Sequence, residues 1–172
     1  LVVGGTGFLG YHLCKEVLKK GWTVSSLSTK KPLKTRKLKR IKYLICDIRK
    51  KKNLLKLKKN YNYVVNFGGY VDHSNKKKTY ESHFIGCKNL ADYFQNSNIE
   101  SFVQMGSCLE YGNIRSPQKE SSKFKVQNLK SSYGKSKLLA TSYLMNLYEK
   151  KKFPVSILRL YLAYGPHQDF NR

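Results

Sequence analysis

The sequence predicts an α/β protein: one doubly wound parallel sheet with helices on both faces, in three α/β/α layers. Two observations carry this. Six short runs rich in β-branched and aromatic residues alternate with helical stretches along 172 residues, and such alternation folds as βαβ units around a parallel sheet. The chain also opens on Leu1-Val2-Val3-Gly4-Gly5-Thr6-Gly7-Phe8-Leu9-Gly10. There an apolar strand runs straight into glycines and then into an amphipathic helix.

In that helix Leu9, Leu13, Val17 and Leu18 recur at helical spacing. Gly5-x-Gly7-x-x-Gly10 matches the dinucleotide-binding fingerprint of Rossmann-type sheets, and Gly4-x-x-Gly7-x-x-Gly10 holds as well. Glycines serve a tight turn, a close approach of backbone to a pyrophosphate, and close helix–strand packing. The anion then sits at a helix N-terminus. The expected contact set is Gly4, Gly7, Phe8, Leu9 and Gly10.

Gly21 is a natural stop for the first helix, and residues 23–27 form the second strand. An NAD-type site places an acidic residue about 20 positions past the glycines. Here the strand ends in Ser28-Thr29-Lys30-Lys31, with Arg36 close behind. A carboxylate that would repel a 2′-phosphate is missing and cations are present, which points to NADP, with NAD as the alternative. Residues 41–46 are the third strand, ending at Asp47-Ile48, and a basic helix spans 49–59. Residues 61–67 are the fourth strand, ending in Asn66-Phe67-Gly68-Gly69. A long helix over 77–95 precedes a strand at 102–105. A loop rich in Gly, Pro, Ser and Asn covers 112–129, a helix 131–150, and the sixth strand 155–161. The expected strand order is 3-2-1-4-5-6.

Three residues carry candidate chemistry. Ser107 ends a strand, where open α/β sheets place ligands. Tyr133 and Lys137 lie in Tyr-Gly-Lys-Ser-Lys, four apart on a helix, and so share a face. A fixed ammonium lowers a phenol's pKa. The Tyr can then exchange a proton with a hydroxyl or ketone while Ser107 hydrogen-bonds the same oxygen.

The formal charge of +24 raises the prospect of nucleic-acid binding. The excess is mostly lysine, smeared over Lys30-Lys31, Lys50-Lys51-Lys52, Lys58-Lys59, Lys76-Lys77-Lys78 and Lys150-Lys151-Lys152. It lacks the aromatic interleaving of RNA readers, so no specific nucleic-acid partner is expected. No apolar run approaches the roughly 20 residues of a membrane span, and no membrane partner is expected. Cys14, Cys46, Cys87 and Cys108 have no metal-like spacing and fit reduced thiols of a cytoplasmic protein. The first residue is not Met and the last eight form a loop, as in a piece of a longer protein.

In Gly-Gly-Thr-Gly-Phe-Leu-Gly (4–10), Asp47-Ile48, Asn66-Phe67-Gly68-Gly69, Ser107 four residues before Tyr111-Gly112, Tyr133-Gly-Lys-Ser-Lys137 and Arg159-Leu-Tyr-Leu-Ala-Tyr164-Gly-Pro166, the chain resembles the extended short-chain dehydrogenase/reductase family. Within it, the resemblance is to the NAD-dependent epimerase/dehydratase group acting on nucleotide sugars. It covers the whole chain as one NAD(P)-binding domain, residues 1–172. It implies Ser107, Tyr133 and Lys137 as the catalytic triad and Asp47 and Ile48 beside the adenine. It also implies Phe67, Gly68 and Gly69 along the cofactor's centre, Tyr161 near the nicotinamide, a C-terminal substrate domain beyond this sequence, and a homodimer at full length. His83 stands where the family usually has Asn, and Leu162 where many members have Asn. Dehydratases carry an Asp-Glu pair at the positions of Cys108 and Leu109, so dehydration is disfavoured; Glu110 comes one residue late. Asp72 and His73 are candidates to face the sugar. The expected activity is an NAD(P)-dependent nucleotide-sugar epimerase or 4-keto reductase. The alternatives are a non-catalytic dinucleotide-binding regulatory module and, less favoured, a dehydratase.

Overall fold

The computed structural model describes residues 1–122 and 125–169. Lys123 and Phe124 of the predicted loop, and residues 170–172, lie outside the described residues. The strands are β1 (Val2–Val3), β2 (Val24–Ser28), β3 (Ile41–Ile45), β4 (Tyr63–Asn66), β5 (Ser101–Ser107) and β6 (Val155–Leu160). They pair in parallel throughout, in the order β3-β2-β1-β4-β5-β6, as the alternation predicts. The helices are α1 (Phe8–Lys19), α2 (Lys51–Leu54), α3 (Lys76–Tyr80), α4 (Gly86–Phe94) and α5 (Ser132–Lys151).

Successive strand residues point to opposite faces, and the two residues of β1 divide accordingly. Val3 joins a large cluster in which Leu54, Val64, Leu90, Phe94, Phe102 and Leu144 are fully buried. Val2 joins a smaller one with Cys14 and Val24, closed by Leu13, Val17 and Leu18 of α1. The helical spacing of α1 and the strand period of β1 thus meet on one face, and α4 and α5 cover the other.

Two predicted helices differ. The helix expected over 49–59 is a single turn, Lys51–Leu54. Leu54 is buried and Leu57 packs against the same core, while Leu55 is exposed, so two leucines one turn apart are all that hold this lysine-rich segment on the sheet, too narrow an apolar edge for a longer helix. The stretch expected over 77–95 divides into α3, a π turn at Glu81–Ile85, and α4. Asn75 caps its start, its side chain accepting from the Lys78 N–H at 2.9 Å. At the π turn, Ser82 Oγ donates to the Thr79 carbonyl (3.2 Å) and accepts the Tyr70 N–H (3.0 Å). A side chain that bonds the preceding turn perturbs the regular ladder, and π bulges gather at functional sites.

The glycine turn brings backbone against backbone with no room for a side chain. A Cβ on Gly10 would sit 2.3 Å from the Gly4 carbonyl oxygen and 2.7 Å from Gly5 Cα, backbone in both cases. In an open helix Gly→Ala gains up to about 1 kcal/mol; here overpacking reverses the sign. Gly10→Ala should destabilise the fold by about 1–3 kcal/mol, seen as a lowered urea midpoint. An unchanged midpoint would show that helix and strand are not in contact at this point.

Candidate active site

A cleft of about 1010 Å³ opens at the C-terminal ends of the central strands. Its floor is the glycine turn. Gly4 adopts a positive φ of 78°, a conformation glycine takes without penalty. Its N–H donates to the Leu27 carbonyl (2.7 Å) and its own carbonyl accepts the Gly7 N–H (2.9 Å). A Cβ there would lie 3.0 Å from the Phe67 backbone, so the turns that follow β1 and β4 pass close together here. Gly7, Phe8, Leu9 and Gly10 line the cleft as predicted. No side chain caps α1, and its first turn holds no acidic residue. The positive end of the helix dipole therefore meets the cleft.

Ser28, Thr29 and Lys30 form the wall beyond β2, and Ser28 Oγ accepts the Thr6 N–H at 3.3 Å. Arg36 corrects the sequence-based expectation. It is 6% exposed and does not line the cleft. Its Nε donates to the His167 carbonyl (3.0 Å) and its guanidinium pairs with Asp169 (2.5 Å). A buried guanidinium must satisfy its donors, and the segment after β6 does so, leaving Arg36 unavailable to a 2′-phosphate.

Asp47 and Ile48 line the next wall. Arg49 grips the Asp47 carboxylate from Nε (2.9 and 3.1 Å) and from Nη2 (2.7 Å), which holds its pKa below the usual carboxylate value. Phe67, Gly68 and Gly69 also face the cleft. Buried Asn66 sets this turn, accepting the Gly68 N–H (2.9 Å) and donating to Gln104 Oε1 (2.7 Å).

Tyr133 and Lys137 reach the cleft from α5, with the Lys137 ammonium 5.6 Å from the centre of the Tyr133 ring. Lys137 is 5% exposed and donates to the Met105 carbonyl at 2.6 Å. Burial lowers its pKa to about 8. The structure thus unites Tyr133, Lys137 and the glycine turn in one cleft. Ser107 lies one residue behind the wall, which Met105 and Gly106 form; it is buried, and its Oγ accepts the Leu109 N–H (3.2 Å). Tyr161 stands apart, 65% exposed and donating to Gln118 (2.9 Å), because the chain leaves β6 after Leu160.

His73 lines the cleft and stacks on Tyr133, ring centres 4.1 Å apart at 17°. Asp72 is exposed and bound to Ser74 through its N–H (3.1 Å) and Oγ (2.6 Å). His83, noted in the sequence only as a departure from Asn, is a cleft residue, edge-on to Tyr133 at 4.9 Å. Its Nε2 lies 3.1 Å from the Tyr70 carbonyl. A carbonyl can only accept, so that nitrogen carries the proton. Burial lowers its pKa to about 3, which keeps the ring neutral. A Cβ on Gly69 would fall 2.1 Å from His83 Cε1; this pairing, between residues distant along the chain, gives no periodic signal.

The sequence profile of the NAD dependent epimerase/dehydratase family matches residues 1–172. The chain is 24% identical over 188 aligned residues to a bifunctional UDP-glucose 4-epimerase and UDP-xylose 4-epimerase of Pisum sativum, covering 98% of this chain and 53% of that enzyme. It is 25% identical over 108 residues to the decarboxylating sterol-4-alpha-carboxylate 3-dehydrogenase of Mus musculus, covering 62% of this chain and 29% of that protein. Among solved structures, UDP-glucose 4-epimerase of Thermus thermophilus in complex with NAD superposes with a TM-score of 0.84 at 22% identity, covering 98% of this chain and 56% of that one. A dTDP-glucose 4,6-dehydratase from Streptomyces venezuelae with NAD and TYD bound gives 0.87 at 21%, covering 99% and 58%. The chain thus spans about half the length of the pea enzyme and of both structures.

Lys137 makes the electrostatics of the cleft measurable. In the unfolded chain its proton leaves near 10.4, in the folded one near 8. Between those values the unfolded chain binds more protons, so this residue's contribution to stability rises with pH. Lys137→Met removes that contribution. From pH 8 to 10.4 the unfolding free energy of the wild type should rise relative to the variant by roughly 2 kcal/mol, read by urea titration at each pH. A constant difference would place the ammonium in solvent.

Proposed function

The chain belongs to the NAD-dependent epimerase/dehydratase family, and from that premise we propose that the protein acts at C4 of a nucleotide sugar, as a 4-epimerase or a 4-keto reductase, with NADP as its preferred cofactor. The observation that carries this reading is the shared face of Tyr133 and Lys137 on α5, opening on the cleft beside the Gly4–Gly10 turn.

The cleft fits a dinucleotide. The uncapped start of α1 suits a pyrophosphate, and bare backbone faces the cleft at Gly4 and Gly69. Asp47 and Ile48 would hold the adenine, Phe67 to Gly69 the middle of the molecule, and Lys137 a ribose. The bound nicotinamide supplies the hydride acceptor or donor. Tyr133 moves the proton at the reacting sugar oxygen, and the Lys137 ammonium favours its phenolate. Ser107 donates to the same oxygen: its Oγ already accepts the Leu109 N–H, which leaves its O–H hydrogen to give. Cys108 and Leu109 provide no carboxylate pair for water elimination, which favours redox chemistry at C4 over dehydration. A purely regulatory dinucleotide module has no need of a proton-transfer Tyr beside a buried Lys. The nucleotide-sugar substrate and a homodimeric assembly of the full-length protein belong to the same proposal.

The test uses the full-length protein with UDP-glucose as probe, following the 4-epimer by NMR. Tyr133→Phe keeps the ring and removes one oxygen. It should lower kcat by about 10²–10⁴-fold and leave the Kd for cofactor unchanged. A fully active Tyr133→Phe overturns the assignment.

Cofactor choice is tested separately. Ser28, Thr29 and Lys30 line the cleft without a carboxylate among them, so NADP should bind more tightly than NAD. Ser28→Asp should reverse that order in a fluorescence titration. Equal affinities in the wild type, or tighter NAD, would overturn the preference.

A further inference from the structure

Glu110 is a fully buried carboxylate beside the cleft, 0% exposed. Its Oε1 accepts the Ser107 N–H at 2.8 Å. Its Oε2 accepts from Thr141 Oγ1 at 2.7 Å and from Arg159 Nε at 3.1 Å. The Ser107 side chain answers by accepting the Leu109 N–H, so Ser107 and Glu110 close a reciprocal capping pair over the turn Cys108–Tyr111. Burying a carboxylate is costly unless it is paired and hydrogen-bonded, so this arrangement is built for a purpose that an apolar side chain would not serve.

The placement of the donors suggests that purpose. Tyr133, Lys137 and Thr141 are four apart on α5 and lie on one face. Arg159 on β6 is the register partner of Gly106 on β5. Gly106 leaves the room the carboxylate occupies: a Cβ there would stand 2.6 Å from Glu110 Oε1 and 3.2 Å from Arg159 Cγ. Glu110 therefore joins the end of β5, the neighbouring strand and the α5 face bearing Tyr133 and Lys137 through one rigid group.

We propose that Glu110 is a positioning residue that fixes the Ser107 hydroxyl relative to Tyr133 and Lys137. It touches no reacting atom. It holds the Ser107 backbone from below, and the capping bond from Leu109 occupies one lone pair of Oγ, so the hydroxyl hydrogen is left for the oxygen that Tyr133 serves. This rests on the role given to Ser107 above.

The test is a double-mutant cycle in the full-length protein, with UDP-glucose turnover as one readout and the Ser107 amide proton resonance as the other. Glu110→Gln should lower kcat about 10–100-fold with little change in KM and none in the Kd for cofactor. It should also move the Ser107 amide proton upfield, because a carboxylate acceptor is replaced by an amide. In a Ser107→Ala background the same substitution should cost no further activity, whereas a merely structural role would subtract equally in both. Thr141→Val, which removes one donor and leaves the carboxylate paired with Arg159, should give a smaller loss that also vanishes on Ser107→Ala. It serves in place of Glu110→Gln should that variant not fold. Full activity in the variant, an unmoved amide resonance, or losses that add on Ser107→Ala would overturn the proposal. Full activity in Ser107→Ala itself would overturn the role of Ser107 as well, which separates the two failures.

Discussion

Everything in this fold hangs on the contact between the first strand and the first helix. Gly10 lies against the Gly4 carbonyl so closely that a single methyl would not fit. That proximity sets where α1 begins, and so where its uncapped N-terminus points. It also sets how near the β4 backbone can pass, since Phe67 takes the space a Cβ on Gly4 would need. With side chains larger than hydrogen at these points, helix and strands would separate and the cleft would lose its floor.

From that floor a chain of buried polar groups crosses the sheet. Asn66 holds the turn at Gly68 and donates to Gln104. Gln104 also accepts from Cys87 Sγ (3.1 Å) and donates to the Met105 carbonyl (2.9 Å), the same carbonyl that receives the Lys137 ammonium. A low-dielectric interior strengthens such bonds and makes any unmatched group expensive. The network therefore ties the Gly68 side of the cleft to the Lys137 side with little freedom in either. Glu110 does the same one layer further out, between β5, β6 and α5.

The lysine excess plays a smaller part. Lys30, Lys78 and Lys137 reach the cleft; many others stand at helix ends and loops in solvent. An electropositive mouth draws anionic ligands toward it without requiring a nucleic-acid surface.

The fold class, the strand order and the glycine turn were all legible in the sequence, because each rests on local rules: strand and helix periodicity, and the steric demand of a turn. Tyr133 and Lys137 were legible for the same reason, since four residues along a helix is a local distance. What only the tertiary structure decided are matters of long-range competition. Arg36 is close to the β2 end along the chain, yet a carboxylate 133 positions away claims it. The basic stretch after Asp47 shortened to a single turn, held on the core by Leu54 and Leu57 alone. Glu110, one residue out of register for an acid–base pair, is drawn inward by Thr141 and Arg159, 31 and 49 positions distant. His83 becomes a wall of the cleft because Gly69 leaves it room. Sequence spacing specifies which groups can share an element. Which groups share a site is settled by the space and the hydrogen-bonding partners that distant elements leave to them.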